Sequence, residues 1–429
     1  MKRTGNSAFP AHLPKNTPPK RDCKYTDKIQ NSKRQTKFSS VSGGEAAVFL
    51  IIPDKNMYLW TVKSPNMQNN QTRLQALDVM RGIAIAAMIM FNNPGGSKVF
   101  APLKHAVWNG LTPTDLAYPF FMFIMGVAMC FSMRKFAGCE TRALGKIFRR
   151  AVLIFVLGVF LSNFSKLIGG KLTFDNLRIM GVLQRLGLVY LFGALVYLYV
   201  PKKAHLPIAA VLMAAYIIIL KCFNGYVCSA DNLLSRIDCI ILGPGHMPTQ
   251  AVSGGSFPFE NQSLLGTLFC TAHVLLGSFA GRLILDNQDN PDRVRKLAVF
   301  GTVLLFAGFL LQYLDPINKK LWTSSYMLVT CGAASLLLAL LIEIIDIKGW
   351  QKWGGFFKVF GTNAIVAYTL AGVCSPLLRT WGVKKYLYAE ILKPVFGDYG
   401  GSLAYALIYI VFIFLLTLPL YRKKIFIRL

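Results

Sequence analysis

From about residue 75 onward the chain is built of apolar runs close to 20 residues long, separated by short connections rich in Gly, Pro and basic residues. A run of about 20 residues, coiled at about 1.5 Å per residue, spans a hydrocarbon layer about 30 Å thick. No water reaches the backbone there, so each N–H and C=O must be satisfied within its own helix or a closed barrel. Continuous apolar runs, rather than alternating ones, select the helix. The expected fold is therefore all-α, a polytopic transmembrane helix bundle of about ten spans. The runs lie near 75–93, 115–133, 147–164, 179–200, 206–222, 264–284, 297–314, 325–345, 356–378 and 402–421. Only 15% of residues are charged, against about 25% in a soluble domain.

A formal net charge of +28 would suit a nucleic-acid binder. Here the charge is spread over loops that flank apolar segments, and no recognition motif accompanies it, so anionic lipid headgroups are the better partner and nucleic acid is not expected. Residues 1–66 hold twelve Lys/Arg against four Asp/Glu and one short apolar patch, Val48–Ile52. Residues 1–72 read as a basic, disordered tail, with Met67 as a candidate true start, ahead of a membrane domain over 73–429. Basic residues such as Arg149, Arg150, Lys202, Lys203, Arg293 and Lys352 concentrate in alternate connections, and Arg422, Lys423 and Lys424 end the chain. By the positive-inside bias both termini face the cytoplasm and the 94–114 loop faces outward. The nine cysteines show no metal-ligand spacing, and no metal is expected. Cys222, Cys228 and Cys239 fall in or beside one loop, where a disulfide is chemically allowed.

A polar, titratable cluster at the rim of a bilayer costs free energy to maintain and marks a site by default. His105 precedes Asp115 by ten residues, in the loop between the first two spans. Imidazole exchanges protons near neutral pH and can carry an acyl group. Alone it could equally be a loop histidine bonded to backbone. Asp115 opens an apolar helix, where a carboxylate serves as a plain cap or fixes the tautomer of an imidazole. Asn92 and Asn93 close the first span before Pro94-Gly95-Gly96. They suit a helix C-terminal turn or an amide aimed at an oxyanion. Trp108 and Asn109 suit a sugar platform or an interfacial anchor. Asp78 and Arg81, three apart, default to an ion pair, although Arg81 with Arg149 and Arg150 could hold an anionic cofactor. Arg185, inside the fourth span, must face a cavity or the bundle. His273 reads as a core histidine, and Asn363 as interhelical glue or site lining.

These residues carry a resemblance. Leu77-Asp78-Val79-Met80-Arg81-Gly82 is similar to the LDxxRG opening of membrane acyltransferases. The longer stretches His105–Leu116, Tyr118–Phe121, Arg178–Arg185 and Asn318–Ser325 resemble the heparan-α-glucosaminide N-acetyltransferase family and its bacterial relatives, from about residue 73 to the end. The resemblance implies acetyl transfer from cytosolic acetyl-CoA to an amine or hydroxyl of a sugar or glycan on the outer face, in a bacterial plasma (inner) membrane, with a homodimer as the assembly. It places the catalytic residues at His105, Asp115 and Asn92, while residue chemistry alone makes Arg81, Arg185, Arg149 and Arg150 the candidate cofactor contacts. Substrate contacts fall at Trp108, Asn109, Trp322 and Asn363. Two departures stand out. Relatives usually read Asp-Pro-Glu-Gly where this chain has Glu260-Asn261-Gln262-Ser263, and the Asn92–His105 spacing is longer than in the animal enzyme. The competing class is a transporter whose polar residues line a permeation path, which the lack of an evident inverted repeat disfavours.

Overall fold

The computed structural model describes residues 74–133, 140–252, 255–287 and 289–427. The basic tail, Met67 and Arg134 lie outside the described residues. The helices are α1 (Gln75–Asn92), α2 (Ala117–Met133), α3 (Glu140–Ile168), α4 (Val182–Tyr199), α5 (His205–Cys222), α6 (Leu233–Ile241), α7 (Leu264–Phe269) and α8 (Thr271–Asp286). They continue with α9 (Asn290–Leu311), α10 (Ser324–Leu341), α11 (Gly355–Thr362), α12 (Ala364–Thr380) and α13 (Lys393–Arg422). One antiparallel hairpin, β1 (Thr249–Val252) with β2 (Gly255–Pro258), sits in the α6–α7 connection.

Nine helices among the described residues are long and apolar enough to cross a membrane, and α11 with α12 makes a tenth across an 86° bend. The protein is a multi-pass membrane helix bundle. Burial sorts its spans into two layers. The span ending in α8 is 72% buried and those of α1, α2 and α10 are 61% buried, whereas those of α3 and α9 are 22% and that of α5 is 28%. Outer-layer side chains such as Val156, Phe160, Val303 and Phe306 are exposed. A helix that is apolar all round and exposed in the folded chain belongs against lipid.

Small residues set the inner packing, because lipid tails are as apolar as Leu and only close contact drives helices together. A Cβ on Gly82 of α1 would meet the Phe357 carbonyl oxygen at 1.8 Å, and one on Gly361 of α11 would meet the Asp78 oxygen at 1.8 Å. The glycine of the Leu77–Gly82 motif is thus a point of backbone-to-backbone approach. At the same end, Gln75 N and Ala76 N donate to the two oxygens of Asp346 at 3.1 and 3.2 Å. A carboxylate from the turn after α10 therefore supplies the cap that Leu74 cannot.

Two expected spans differ from the structure. The run near 356–378 is broken at Asn363, whose backbone (φ −123°, ψ 44°) is not helical. The last helical segment starts at Val383, far ahead of 402, and is kinked at Gly397, where φ is 69°. Hydropathy alone cannot see the added turns, because Lys384, Lys385, Glu390, Lys393 and Asp398 make them polar. Cys222, Cys228 and Cys239 are all free thiols, so no disulfide joins them.

Candidate active site

The loop from Asn93 to Thr112 folds back on the start of α2, and its chemistry converges on one carboxylate. Asp115 lies in a 3-10 turn, Pro113–Leu116, that leads into α2, and it is fully buried. Its Oδ2 accepts from Ala106 N at 3.1 Å, Thr112 N at 3.2 Å and Thr112 Oγ1 at 2.9 Å. Its Oδ1 lies 2.7 Å from His105 Nδ1 and accepts from Lys319 Nζ at 3.1 Å. One carboxylate therefore does both jobs that the sequence left open, capping the turn and orienting the imidazole. A buried carboxylate survives only when it is this fully bonded.

His105 keeps 47% of its side chain exposed. Its Nδ1 is engaged by Asp115, and among the described residues its Nε2 has no partner. With Nδ1–H donating to the carboxylate, Nε2 carries the free lone pair of a half-exposed ring, the arrangement of a general base or nucleophile with its orienting group.

The second wall is the loop 312–323, which carries the Asn318–Ser325 stretch. Asn318 Nδ2 donates to Asn109 Oδ1 at 3.0 Å, and Gly110 N donates to Ile317 O at 2.8 Å. These bonds tie the two loops together across more than 200 residues of sequence. Asp315 is buried and accepts from the Tyr226 hydroxyl at 2.6 Å and Ser325 N at 2.9 Å. Burial pushes its carboxyl above the ordinary range, and those bonds pull it back. Trp322 holds a left-handed backbone, φ 58°, which a non-glycine residue adopts only when its surroundings over-determine it. Those surroundings are aromatic. Its ring meets Tyr118 and Tyr326 edge-on, each at 5.1 Å, and the Tyr326 hydroxyl donates to Asp115 O at 2.6 Å.

Beneath this aromatic layer lies Arg185, fully buried at the start of α4. Its guanidinium sits 5.1 Å over the Trp322 ring and donates to Thr267 Oγ1 at 3.1 Å and to Asn261 O at 3.0 Å. Its Nη1 has no partner among the described residues, nor does Trp322 Nε1. Free donors in a dry site are what a developing oxyanion requires.

The outer cover is formed by α6 and the hairpin. Trp108 donates its indole N–H to Tyr226 O at 3.0 Å and packs 5.4 Å from Phe259, with Lys320 Nζ 5.8 Å over its ring. The Glu260–Ser263 stretch is built into this cover. Glu260, buried, takes a bidentate bond from Arg178 at 2.8 and 3.0 Å, Asn261 O takes Arg185, and Ser263 caps α7 through Gly266 N. It thus touches both arginines of the Arg178–Arg185 stretch. Asp238, also buried, is pushed up to about 7, chiefly by burial and then by Glu260, against bonding from Leu264 N.

The other sequence-predicted residues sit elsewhere. Asn92 is exposed at the end of α1, while its neighbour Asn93 is buried and bonded to Ile89 O at 2.8 Å. Arg81 lies at the far end of α1 and donates to Asp78 Oδ1 at 3.2 Å and Gly361 O at 3.3 Å. Arg149 is exposed on α3 and Arg150 lies 4.6 Å over Tyr190, both toward the end of the bundle remote from His105. Asn363 corrects the site-lining reading: it bonds Ile425 O and Ile427 N, each at 3.1 Å, and so clamps the C-terminal stretch of chain at that far end. His273 is a core histidine, 3.0 Å from Pro119 O. Lys319 falls within one of the family-like stretches, yet the sequence alone assigns it no role. Its only signal is a lysine in a loop otherwise fixed by Asn and Trp.

These features define a multi-pass membrane protein with a carboxylate-oriented histidine at one end of its helix bundle. A family model described as heparan-alpha-glucosaminide N-acetyltransferase, catalytic, matches residues 73–314. The mouse heparan-alpha-glucosaminide N-acetyltransferase is 27% identical over 355 residues, 70% of this chain and 53% of that protein. The human one is 29% identical over 350 residues, 69% and 52% respectively. The chain spans about half the length of these curated relatives. It belongs to the heparan-alpha-glucosaminide N-acetyltransferase catalytic family.

Proposed function

We propose that the chain is an integral-membrane acetyltransferase that moves an acetyl group from cytosolic acetyl-CoA to an amine or hydroxyl of a sugar or glycan on the outer face. The observation that carries this reading is the 2.7 Å contact between His105 Nδ1 and a fully bonded Asp115, which leaves Nε2 bare and reachable. Nε2 either attacks the thioester carbonyl, forming an acyl-imidazole, or removes the acceptor's proton as the acceptor attacks. In both routes the C–S bond breaks, the acetyl group ends on the acceptor, and the acceptor's proton passes through His105 to the coenzyme thiolate. Arg185 Nη1, buried and without a partner among the described residues, is a cationic donor suited to charge on the thioester oxygen. Exposed Arg149, with Arg150, whose Nε is buried and without a partner among the described residues, suits the donor's phosphates at the remote end. Trp108 and Asn109 offer the acceptor a ring face and an amide beside His105.

The test is purified protein in liposomes, supplied with labelled acetyl-CoA and a panel of hexosamines and neutral sugars. Label should appear on at least one sugar, and His105→Ala should lose about 10²–10⁴-fold in rate. Wild-type transfer by His105→Ala would overturn the assignment. Movement of intact sugar without acetylation would favour the transporter class instead.

A further inference from the structure

Lys319 stands 3.1 Å from His105 Nδ1 and 3.1 Å from Asp115 Oδ1, with 21% of its side chain exposed. Both contacts cannot be bonds of the same kind. An Nδ1 that donates its proton to Asp115 at 2.7 Å has no lone pair left to accept from an ammonium. Lys319 therefore bonds the carboxylate while its charge is pressed against the imidazole ring. Asp115 favours a protonated ring, whereas Lys319 disfavours it. The other charged neighbours do not break the tie: Lys104 precedes His105 in the chain, and Lys320 turns away to Gln250 and Trp108. Tyr326 reaches only the Asp115 backbone oxygen.

We infer that Lys319 is a positioning residue that offsets the Asp115 charge and so holds the His105 ring neutral, with its proton on Nδ1 and Nε2 bare. A base or nucleophile needs that form, and without the lysine the Asp115 charge would act on the ring unopposed. Burial pulls Lys319 itself below the usual lysine value, and Asp115 pulls the other way. The inference rests on His105 being the reacting residue, so its test reads the ring directly rather than acetyl transfer.

The test is the pH dependence of carbethoxylation by diethyl pyrocarbonate, which attacks only neutral imidazole. The His105 signal is taken as the difference from a His105→Gln protein. In Lys319→Met the half-maximal pH should rise by about one pH unit or more, the size of effect expected from one charge within about 6 Å. Lys319→Arg should stay with the wild type, and adding Asp115→Asn to Lys319→Met should bring the curve back down. A Lys319→Met curve that superimposes on the wild type overturns the inference. Should Lys319→Met not fold, nitrogen-15 histidine spectra of the wild-type protein decide. A proton on Nδ1 supports it, and a proton on Nε2 overturns it, because Lys319 would then be donating to Nδ1. A shifted curve in a protein that acetylates nothing would leave this inference standing and remove the proposed function.

Discussion

The first transmembrane helix carries a polar cluster at each end, and the two are built for opposite purposes. At its start, Asp78, Arg81 and the Gly361 carbonyl bond one another while Gly82 and Gly361 let two backbones touch, and Asn363 ties the C-terminal segment to the same place. Apart from the Asp78–Arg81 pair within α1, each of these contacts joins one piece of the chain to another. Past its other end, the Asp115 carboxylate takes five polar contacts, yet the residue it orients is half exposed and offers a nitrogen with no partner among the described residues. A polar group in a membrane protein thus earns its place in two ways, by joining helices or by doing chemistry. What separates them is whether a reactive atom is left over once the hydrogen bonds are counted.

The sharpest way to break this contrast is to remove one group from each cluster. His105→Ala should cost about 10²–10⁴-fold in acetyl transfer while the melting temperature in detergent stays close to that of the wild type, since its ring supports no other element. Gly82→Leu should do the reverse. A Cβ there would lie 1.8 Å from the Phe357 oxygen, so α1 and α11 must part, at a cost of about 3 kcal/mol or more. Gel filtration and thermal melting should report loss of the folded bundle before any kinetic defect can be measured. A Gly82→Leu protein of normal stability would mean that the close crossing is not what holds the remote end.

How legible these clusters were in the sequence follows from how local each is. The spans could be read because hydropathy is a property of consecutive residues. The His105–Asp115 pair could be read because ten residues of loop and a helix start fix both. Asp346 capping α1, Asn363 holding Ile425 and Ile427, and Asn318 meeting Asn109 could not, since each joins positions at least 62 apart. Lys319 was hidden for a different reason: in a basic chain, Asn318-Lys319-Lys320 looks like any loop, and only folding brings one of the two lysines onto the carboxylate while sending its neighbour to Trp108. The role of Glu260–Ser263 likewise required the bond to Arg178, 82 positions away.

The cover over the His105 end should show its own pH dependence. The Asp238 carboxyl titrates at about 7 in the folded chain and at about 3.9 when unfolded. Between those values the folded state holds the extra proton, so stability is highest at the acidic side of the window and falls as pH rises from about 4 to about 7. Each tenfold difference in proton affinity between the two states is worth about 1.4 kcal/mol, so the loss should approach a few kcal/mol. Asp238→Asn should flatten that slope and raise the melting temperature above pH 7. An unchanged slope in the variant would assign the effect to another group.

The smallest effect should come from the remote clamp. Asn363→Ala removes two hydrogen bonds, to Ile425 O and from Ile427 N, each 3.1 Å long, and net bonds of this kind contribute about 1 kcal/mol apiece. Stability should drop by about 1–2 kcal/mol, and the C-terminal segment should exchange its amide hydrogens faster while those of α2 and α10 do not. Acetyl transfer per folded molecule should be retained, because Asn363 lies at the end of the bundle remote from His105. A rate defect without a stability defect would show that the two ends are coupled, and that the division between joining and reacting clusters does not hold along the length of α1.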